Sequence, residues 1–199
     1  MNKRILITGA SGMLGKYLAN KLSSKNIVFG IGKDKVNITS FTYKSFDLNN
    51  PSYEKILSWS NPDIIIHCAA ITDGNYCEEN FSDAFSVNAF STKKLIDASK
   101  SNVKFIYIST DAVFGGDCKS NSENDYVNPK NNYAKSKELS EFFLFNSEKN
   151  FLIIRTTIIG FSDYNKSFLD WIVESSINNQ DIKLFSDVIF NPITIWELS

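Results

Sequence analysis

Apolar and polar positions along this chain fall into two kinds of block. Short aliphatic runs have the length and β-branched content of strands: RILIT (4–8), IVFGI (27–31), DIIIHCAA (63–70), KFIYIST (104–110) and FLIIRT (151–156). YKSFDL (43–48) and IKLF (182–185) predict two more. DIIIHCAA is almost wholly apolar, as a strand covered on both faces must be. Between the runs lie stretches of helical period. MLGKYLANKLSS places Leu14, Leu18 and Leu22 at four-residue spacing, and SYEKILSWS, a long segment near 80–100, YAKSKELSEFFLF and SFLDWIVESSI follow. FGGDCKSNSENDYVNPKNN is loop, rich in Gly, Asn, Ser and Asp. Strands alternating with helices predict βαβ units and right-handed crossovers. The expected class is therefore α/β, a doubly wound parallel sheet of the Rossmann type. No repeat or low-complexity linker divides residues 1–199, which are expected to form one domain.

Charge and composition narrow the functional classes. Net charge is −1, with Lys and Arg spread along the chain, which argues against a nucleic-acid partner. No apolar run approaches the roughly 18–20 residues of a membrane span, and the N-terminus enters a strand pattern without signal-peptide features. The three cysteines, Cys68, Cys77 and Cys118, show no paired spacing, so neither a disulfide framework nor a zinc site is expected. These features together predict a cytoplasmic protein with no membrane partner.

The order strand, Gly9-x-x-Gly12-x-x-Gly15, helix changes the picture. In such a turn the first glycine makes the bend, the middle one lets a pyrophosphate touch backbone, and the last lets helix and strand pack closely. The N–H groups and dipole of the helix start then favour the anion. Thr8 and Ser11 fit equally as capping groups of the turn or as ligand contacts. At the end of the second strand, Gly32 stands where an acid would select NAD, and Lys33 follows. A small residue and a cation suit a 2′-phosphate, so NADP(H) is favoured and NAD(H) remains an alternative, since Asp34 could reach inward.

YAKSK sets Tyr133 and Lys137 four apart, one turn from each other on one helix face. A lysine ammonium there is expected to lower the phenol's pKa and to bond a nicotinamide ribose. The tyrosine could then give a proton to a carbonyl oxygen as hydride reaches the carbon. Thr110 closes a buried strand at the carboxyl edge of the sheet, where open α/β folds bind ligands, and could hold the same oxygen.

With these residues in view, the chain resembles the extended short-chain dehydrogenases/reductases over nearly its whole length. TGASGMLG is similar to their cofactor turn, which implies contacts from Gly9, Ser11, Gly12, Met13, Leu14 and Gly15. FDL resembles their adenine-contacting pair (Asp47, Leu48), and HCAA the strand end beside the cofactor (Ala69, Ala70). Asn88 falls where the family has a structural asparagine, and Thr110, Tyr133 and Lys137 match its catalytic Ser/Thr, Tyr and Lys. STDAVF, LIIRTTIIG (with Thr156 where many relatives carry proline) and FNPITIWELS resemble the dTDP-4-dehydrorhamnose reductase branch. That implies NAD(P)H-dependent reduction of a nucleotide-linked 4-keto-6-deoxysugar for cell-surface polysaccharide. Ala112 departs from the branch, which usually has an aromatic residue there, and it lacks the glutamate a 4,6-dehydratase needs. Family members run well beyond the proline motif, so most of the part completing the sugar-nucleotide site is expected to be missing from these residues.

The other reactive side chains have structural readings. His67 follows a buried strand and is expected as a satisfied core histidine. Cys68 and Cys77 are expected as small buried or half-buried residues, and Cys118 lies in a polar loop beside Lys119. Glu78 and Glu79 are read as the start of a helix. Asp111 suits a substrate contact or a loop cap equally. The phenylalanines of EFFLF suit packing, and part of that surface could serve a homodimer, as in relatives. Two further readings stay open: a non-catalytic NADP-binding subunit like that of methionine adenosyltransferase, and a nucleotide-sugar epimerase. The intact Thr110, Tyr133 and Lys137 favour an enzyme.

Overall fold

The computed structural model describes residues 2–50, 52–116, 120–162, 167–186, 188 and 190–199. Six strands follow the expected runs: β1 (Arg4–Thr8), β2 (Ile27–Gly32), β3 (Thr42–Ser45), β4 (Ile64–His67), β5 (Lys104–Ser109) and β6 (Asn150–Arg155). They form one parallel sheet in the order β3-β2-β1-β4-β5-β6. The order reverses between β1 and β4, and ligands of open α/β sheets bind outside the carboxyl ends at such a point. Thr8 is level with Ile31 on one side and His67 on the other, which sets the floor of that crevice.

Both faces of the sheet are covered, which explains the unbroken apolar runs. Along β1, Ile5 and Ile7 pack with Leu14 and Leu18 of helix α1 (Met13–Ser23). Leu6 points the other way, into a cluster with Ile65, Phe105, Leu95 and Leu144. Helix α2 (Tyr53–Ser60) adds Tyr53 and Ile56 to that second layer.

The helical segment expected near 80–100 begins earlier and is broken. Helix α3 (Gly74–Glu79) starts at Asp73, whose carboxylate accepts from the Tyr76 N–H at 3.0 Å. Asn80 leaves helical geometry, and α4 (Phe81–Ala84) runs into a single wide π turn, Phe85–Phe90, before α5 (Ser91–Ala98). Inside the wide turn Asn88 is fully buried. Its Oδ1 accepts from the Ile71 N–H at 2.7 Å, and its Nδ2 donates to the Ile71 carbonyl at 3.0 Å and to Ser136 Oγ at 2.9 Å. Single π turns of this kind inside helices are frequent at functional sites.

Helix α6 (Asn132–Phe145) and α7 (Phe168–Ile177) match the sequence reading, and Ser167 and Asp170 close a capping box on α7. IKLF does not form the expected strand. Residues 182–185 have no strand partner, and Leu184 and Phe185 are exposed. Instead β7 (Thr157–Ile159) pairs in parallel with β8 (Pro192–Thr194), which leads into α8 (Ile195–Leu198). Four apolar residues cannot say which partner will offer a ladder. Among the described residues no helix is long and apolar enough to cross a membrane.

His67 is the core histidine the sequence predicts, wholly buried and stacked on Tyr107 at 5.7 Å. Thr92 Oγ1 donates to the Asn88 carbonyl at 2.8 Å, so it accepts from His67 Nε2–H at 3.0 Å. His67 Nδ1 then accepts the Thr8 hydroxyl at 2.6 Å, while Thr8 Oγ1 accepts the Ala69 N–H at 3.2 Å. Burial, with the nearby Lys137 charge, holds the imidazole down at about 3. Because the folded value lies below the unfolded one, its contribution is complete above about pH 6.5 and is lost as pH falls toward 3. Urea titrations should show the protein about 2 kcal/mol less stable at pH 5 than at pH 7 from this group. His67→Gln should flatten that difference; an unaltered pH slope would assign it to other groups.

Candidate active site

A cleft of about 720 Å³ opens at the carboxyl edge, over the β1–β4 switch point. Its first wall is the turn after β1. Gly9 has φ +67°, and a Cβ there would lie 2.9 Å from the Ala69 backbone. A Cβ on Gly15 would lie 2.2 Å from the Gly9 carbonyl oxygen. Gly12 is different: its Cβ would meet only that oxygen, at 3.3 Å, and the residue lines the cleft. No side chain caps the start of α1 and its first turn holds no acid, so its N–H groups and dipole suit an anion.

Beyond the turn, Ser11 Oγ donates to Asp34 Oδ2 at 3.1 Å, and the Tyr43 hydroxyl donates to the Asp34 carbonyl at 2.7 Å. Gly32 makes this possible, since a Cβ there would stand 2.6 Å from Ser11 Oγ and 2.8 Å from the Tyr43 oxygen. Lys33 and Asp34 therefore both line this end, beside Asp47 and Leu48. The buried Tyr53 hydroxyl donates to the Leu48 carbonyl and fixes that loop. Met13, Leu14, Ala69 and Ala70 line the middle, and Thr110, Tyr133 and Lys137 the far end. One cleft thus gathers the glycine turn, Lys33, Asp47, Leu48, Ala69 and Ala70 with Thr110, Tyr133 and Lys137, while Thr8 and Asp111 are not part of its lining.

Helix α6 brings Tyr133 and Lys137 to the end of β5. Its N-cap, Asn131, accepts from the Ala134 N–H at 2.7 Å. Glu78 corrects the sequence reading, because it ends α3 instead of starting a helix. Its carboxylate nevertheless meets a helix start, accepting from the Asn132 backbone N–H at 2.6 Å and from Asn132 Nδ2 at 3.0 Å. The residue before Tyr133 is therefore held by two charge-assisted hydrogen bonds.

Burial pushes the Tyr133 phenol up to about 12, against the lowering effect of the Thr110 side chain, while the Cys77 and Asp111 charges add to the rise. The expectation that Lys137 lowers this phenol is not met in this geometry. The lysine, 2% exposed, donates to the Ile108 carbonyl at 2.7 Å and lies 4.2 Å from the Tyr107 ring centroid. Burial brings its own ammonium down to about 7. Tyr133 is consequently a protonated donor at neutral pH, beside a lysine that can hold or release a proton there.

Asp111 serves the scaffold: its Oδ2 accepts from Thr157 Oγ1 at 2.5 Å, and its Oδ1 from Thr110 Oγ1 at 3.3 Å. It ties the short 3₁₀ turn Asp111–Phe114 to β7, so Thr156, Thr157 and Ile158 also line the cleft. Thr72 and Val87 join them. Their neighbours in sequence carry no signal of this, because chain crossovers bring them in. Cys68 lines the cleft with its thiol pushed up to about 12 by burial, so it is inert at neutral pH. Cys77 is buried as expected, its thiol facing the Ile71 carbonyl at 3.6 Å. Cys118 and Lys119 lie outside the described residues. Among the described residues no cluster of three or more His, Cys, Asp or Glu side chains could hold a metal ion.

The sequence model of the RmlD substrate binding domain matches residues 3–199. The chain belongs to this family. It is similar to the spore coat polysaccharide biosynthesis protein SpsK of Bacillus subtilis, 27% identical over 192 residues, 95% of this chain and 64% of SpsK. It is also similar to a dTDP-4-dehydrorhamnose reductase of Aggregatibacter actinomycetemcomitans, 30% identical over 193 residues, again 95% of this chain and 62% of that one. The chain thus spans somewhat less than two thirds of the length of these two curated relatives. Among solved structures, it resembles the dTDP-4-dehydrorhamnose reductase of Bacillus anthracis in complex with NADP. The TM-score is 0.80 and the identity 29%, over 100% of this chain and 68% of that one.

Proposed function

We propose that this protein is an NAD(P)H-dependent reductase of the 4-keto group of a nucleotide-linked 6-deoxysugar, used in polysaccharide biosynthesis. The observation that carries the reading is one cleft in which a bare glycine turn faces Thr110, Tyr133 and Lys137. The turn fits a dinucleotide: Gly9 and Gly15 have no room for a side chain, Gly12 leaves backbone open to the cleft, and the α1 start is uncapped and free of acid. Gly9, Ser11, Gly12, Met13, Leu14 and Gly15 would hold the pyrophosphate end, Asp47 and Leu48 the adenine, and Ala69 and Ala70 the middle. A bound dihydronicotinamide would supply hydride to the keto carbon.

The chain's own residues do the rest. Thr110 Oγ1 accepts the Ala112 N–H at 3.2 Å, and its proton, given to Asp111 Oδ1 at 3.3 Å without substrate, would turn to the substrate's keto oxygen. Tyr133, protonated at neutral pH, gives its phenolic proton to that oxygen as negative charge develops there. Lys137 lies one turn along the same helix and would bond the nicotinamide ribose. The exposed Phe142 and Phe145 of α6 leave a surface open to a second copy of the chain.

Lys33, which lines the cleft, carries the preference for NADPH. NADPH is expected to bind more tightly than NADH, and Lys33→Glu to reverse the order in fluorescence titrations. An unchanged ratio would move the selection to Asp34 and Ser11. For the reaction itself, the protein expressed from its complete gene is incubated with NADPH and a panel of nucleotide-4-keto-6-deoxysugars. Loss of reduced-nicotinamide absorbance is the expected result. Tight NADPH binding with no turnover on any member would instead support a non-catalytic binding subunit.

A further inference from the structure

One turn beyond Lys137, α6 carries a buried charge that the steps above do not use. Glu141 is 2% exposed. Arg155, at the end of β6, grips both of its oxygens: Nε lies 3.2 and 3.1 Å from them and Nη2 donates to Oε2 at 2.7 Å. Arg155 is itself held, donating from Nη1 to the Glu123 carbonyl at 3.2 Å and lying 4.9 Å over the Phe114 ring. The Ser109 hydroxyl donates to Glu141 Oε1 at 2.5 Å. A buried ion pair is seldom a better source of stability than an apolar pair of the same volume, because desolvation offsets the attraction. Its position therefore matters more than its strength.

Ser109 stands between Ile108 and Thr110. Three successive residues at the end of β5 are thus tied to α6 at intervals of one turn. Thr110 meets Tyr133, the Ile108 carbonyl takes Lys137, and Ser109 takes Glu141. We propose that Glu141, fixed by Arg155 and Ser109, is a positioning residue that sets α6 against the end of β5 and supplies a carboxylate one helical turn from Lys137. The role assigned to Lys137 rests on the reductase reading; the placement of Glu141 does not.

The ammonium is surrounded by titratable and polar groups from three elements. From β4 and its end come His67, neutral with its imidazole at about 3, and Cys68, a thiol at about 12. From β5 come the Ile108 carbonyl and the Tyr107 ring, whose phenol burial also raises. From α6 itself come Tyr133, protonated up to about 12, and Glu141. Arg155 of β6 lies beyond Glu141 and pairs with it, Nη2 to Oε2 at 2.7 Å. Burial works against the lysine's charge, and Cys68 and then Glu141 work for it; Cys68 is a thiol held at about 12, which leaves Glu141 as the carboxylate of the set.

The test is Glu141→Gln in the protein from its complete gene, with folding checked by circular dichroism and thermal melting. Lys137 is titrated by NMR with ¹³C-labelled lysine, using Lys137→Met to assign its signal. The Lys137 midpoint should fall by about half a pH unit or more in Glu141→Gln. In Glu141→Asp, which keeps the charge and shortens the reach, the midpoint should stay near wild type while kcat drops at unchanged KM. The alkaline limb of the kcat profile should move to lower pH in Glu141→Gln alone. A folded Glu141→Gln whose Lys137 midpoint matches wild type overturns the proposal. Should that variant not fold, a Glu141→Asp enzyme with wild-type kcat overturns it instead. The titration needs no substrate, so a failure to turn over any keto sugar would sink the reductase reading and leave this result standing.

Discussion

Tyr133→Phe is expected to lower kcat by about 10²–10⁴-fold, the usual worth of a positioned acid, with little change in NADPH affinity. The substitution keeps the ring and removes one oxygen. That ring is half-buried at the edge of the cleft and is kept whole, so packing survives. Only the proton delivered to the keto oxygen in the transition state is lost, and nothing in the ground state replaces it. The raised phenol adds a pH signature: with its value at about 12 in the free protein, kcat/KM should not fall through loss of this proton below about pH 10. Lys137, at about 7, should set any change seen near neutrality. Steady-state rates and nucleotide titrations on the pair of proteins decide the matter. Equal kcat in the Phe variant would remove Tyr133 from the chemistry.

Gly12→Val should abolish detectable NADPH binding while leaving the fold intact, and Gly15→Val should damage the fold. Two side-chain distances separate these outcomes. At Gly12 a Cβ meets only the Gly9 carbonyl oxygen, at 3.3 Å, which a few tenths of an ångström of movement relieves, and φ is an ordinary −83°. The branched side chain then occupies the place where a pyrophosphate would touch backbone. At Gly15 the Cβ would stand 2.2 Å from the same oxygen, and that oxygen belongs to a turn that cannot retreat because Gly9 is pressed against Ala69. Overpacking of this kind costs about 1–3 kcal/mol or more. Calorimetric titration with NADPH and thermal melting, run on both variants, separate a lost ligand from a lost fold. A Gly12→Val protein with unchanged affinity would end the phosphate reading of the turn.

The layered sheet and the glycine turn were legible in the sequence because each is a local matter. A run such as RILIT or DIIIHCAA declares burial on both faces through its own side chains, and a glycine triplet between strand and helix declares a missing Cβ through its own spacing. Tyr133 and Lys137 were legible for the same reason, since four residues along a helix is one turn wherever the helix lies. The family resemblance extended this to Asp47, Ala69 and Thr110, which are far apart in sequence and meet at one sheet edge. What pattern could not reach was anything that depends on a distant partner. The pairing of β7 with β8 and the failure of IKLF to pair turn on which edge is near, and three or four residues carry no such information. Glu78 read as the start of its own helix and instead holds the start of α6. Asp111 could be a substrate contact or a cap until Thr157 arrived from the other side of β6 to take its carboxylate. The expected lowering of the Tyr133 phenol by Lys137 failed because the direction of a flexible side chain is set by its surroundings, and the Ile108 carbonyl and Tyr107 ring draw this one to themselves. Local chemistry along the chain determines which residues can do the work; burial and the meeting of remote strands determine which charges face one another, because desolvation and Coulomb energies depend on distance through space.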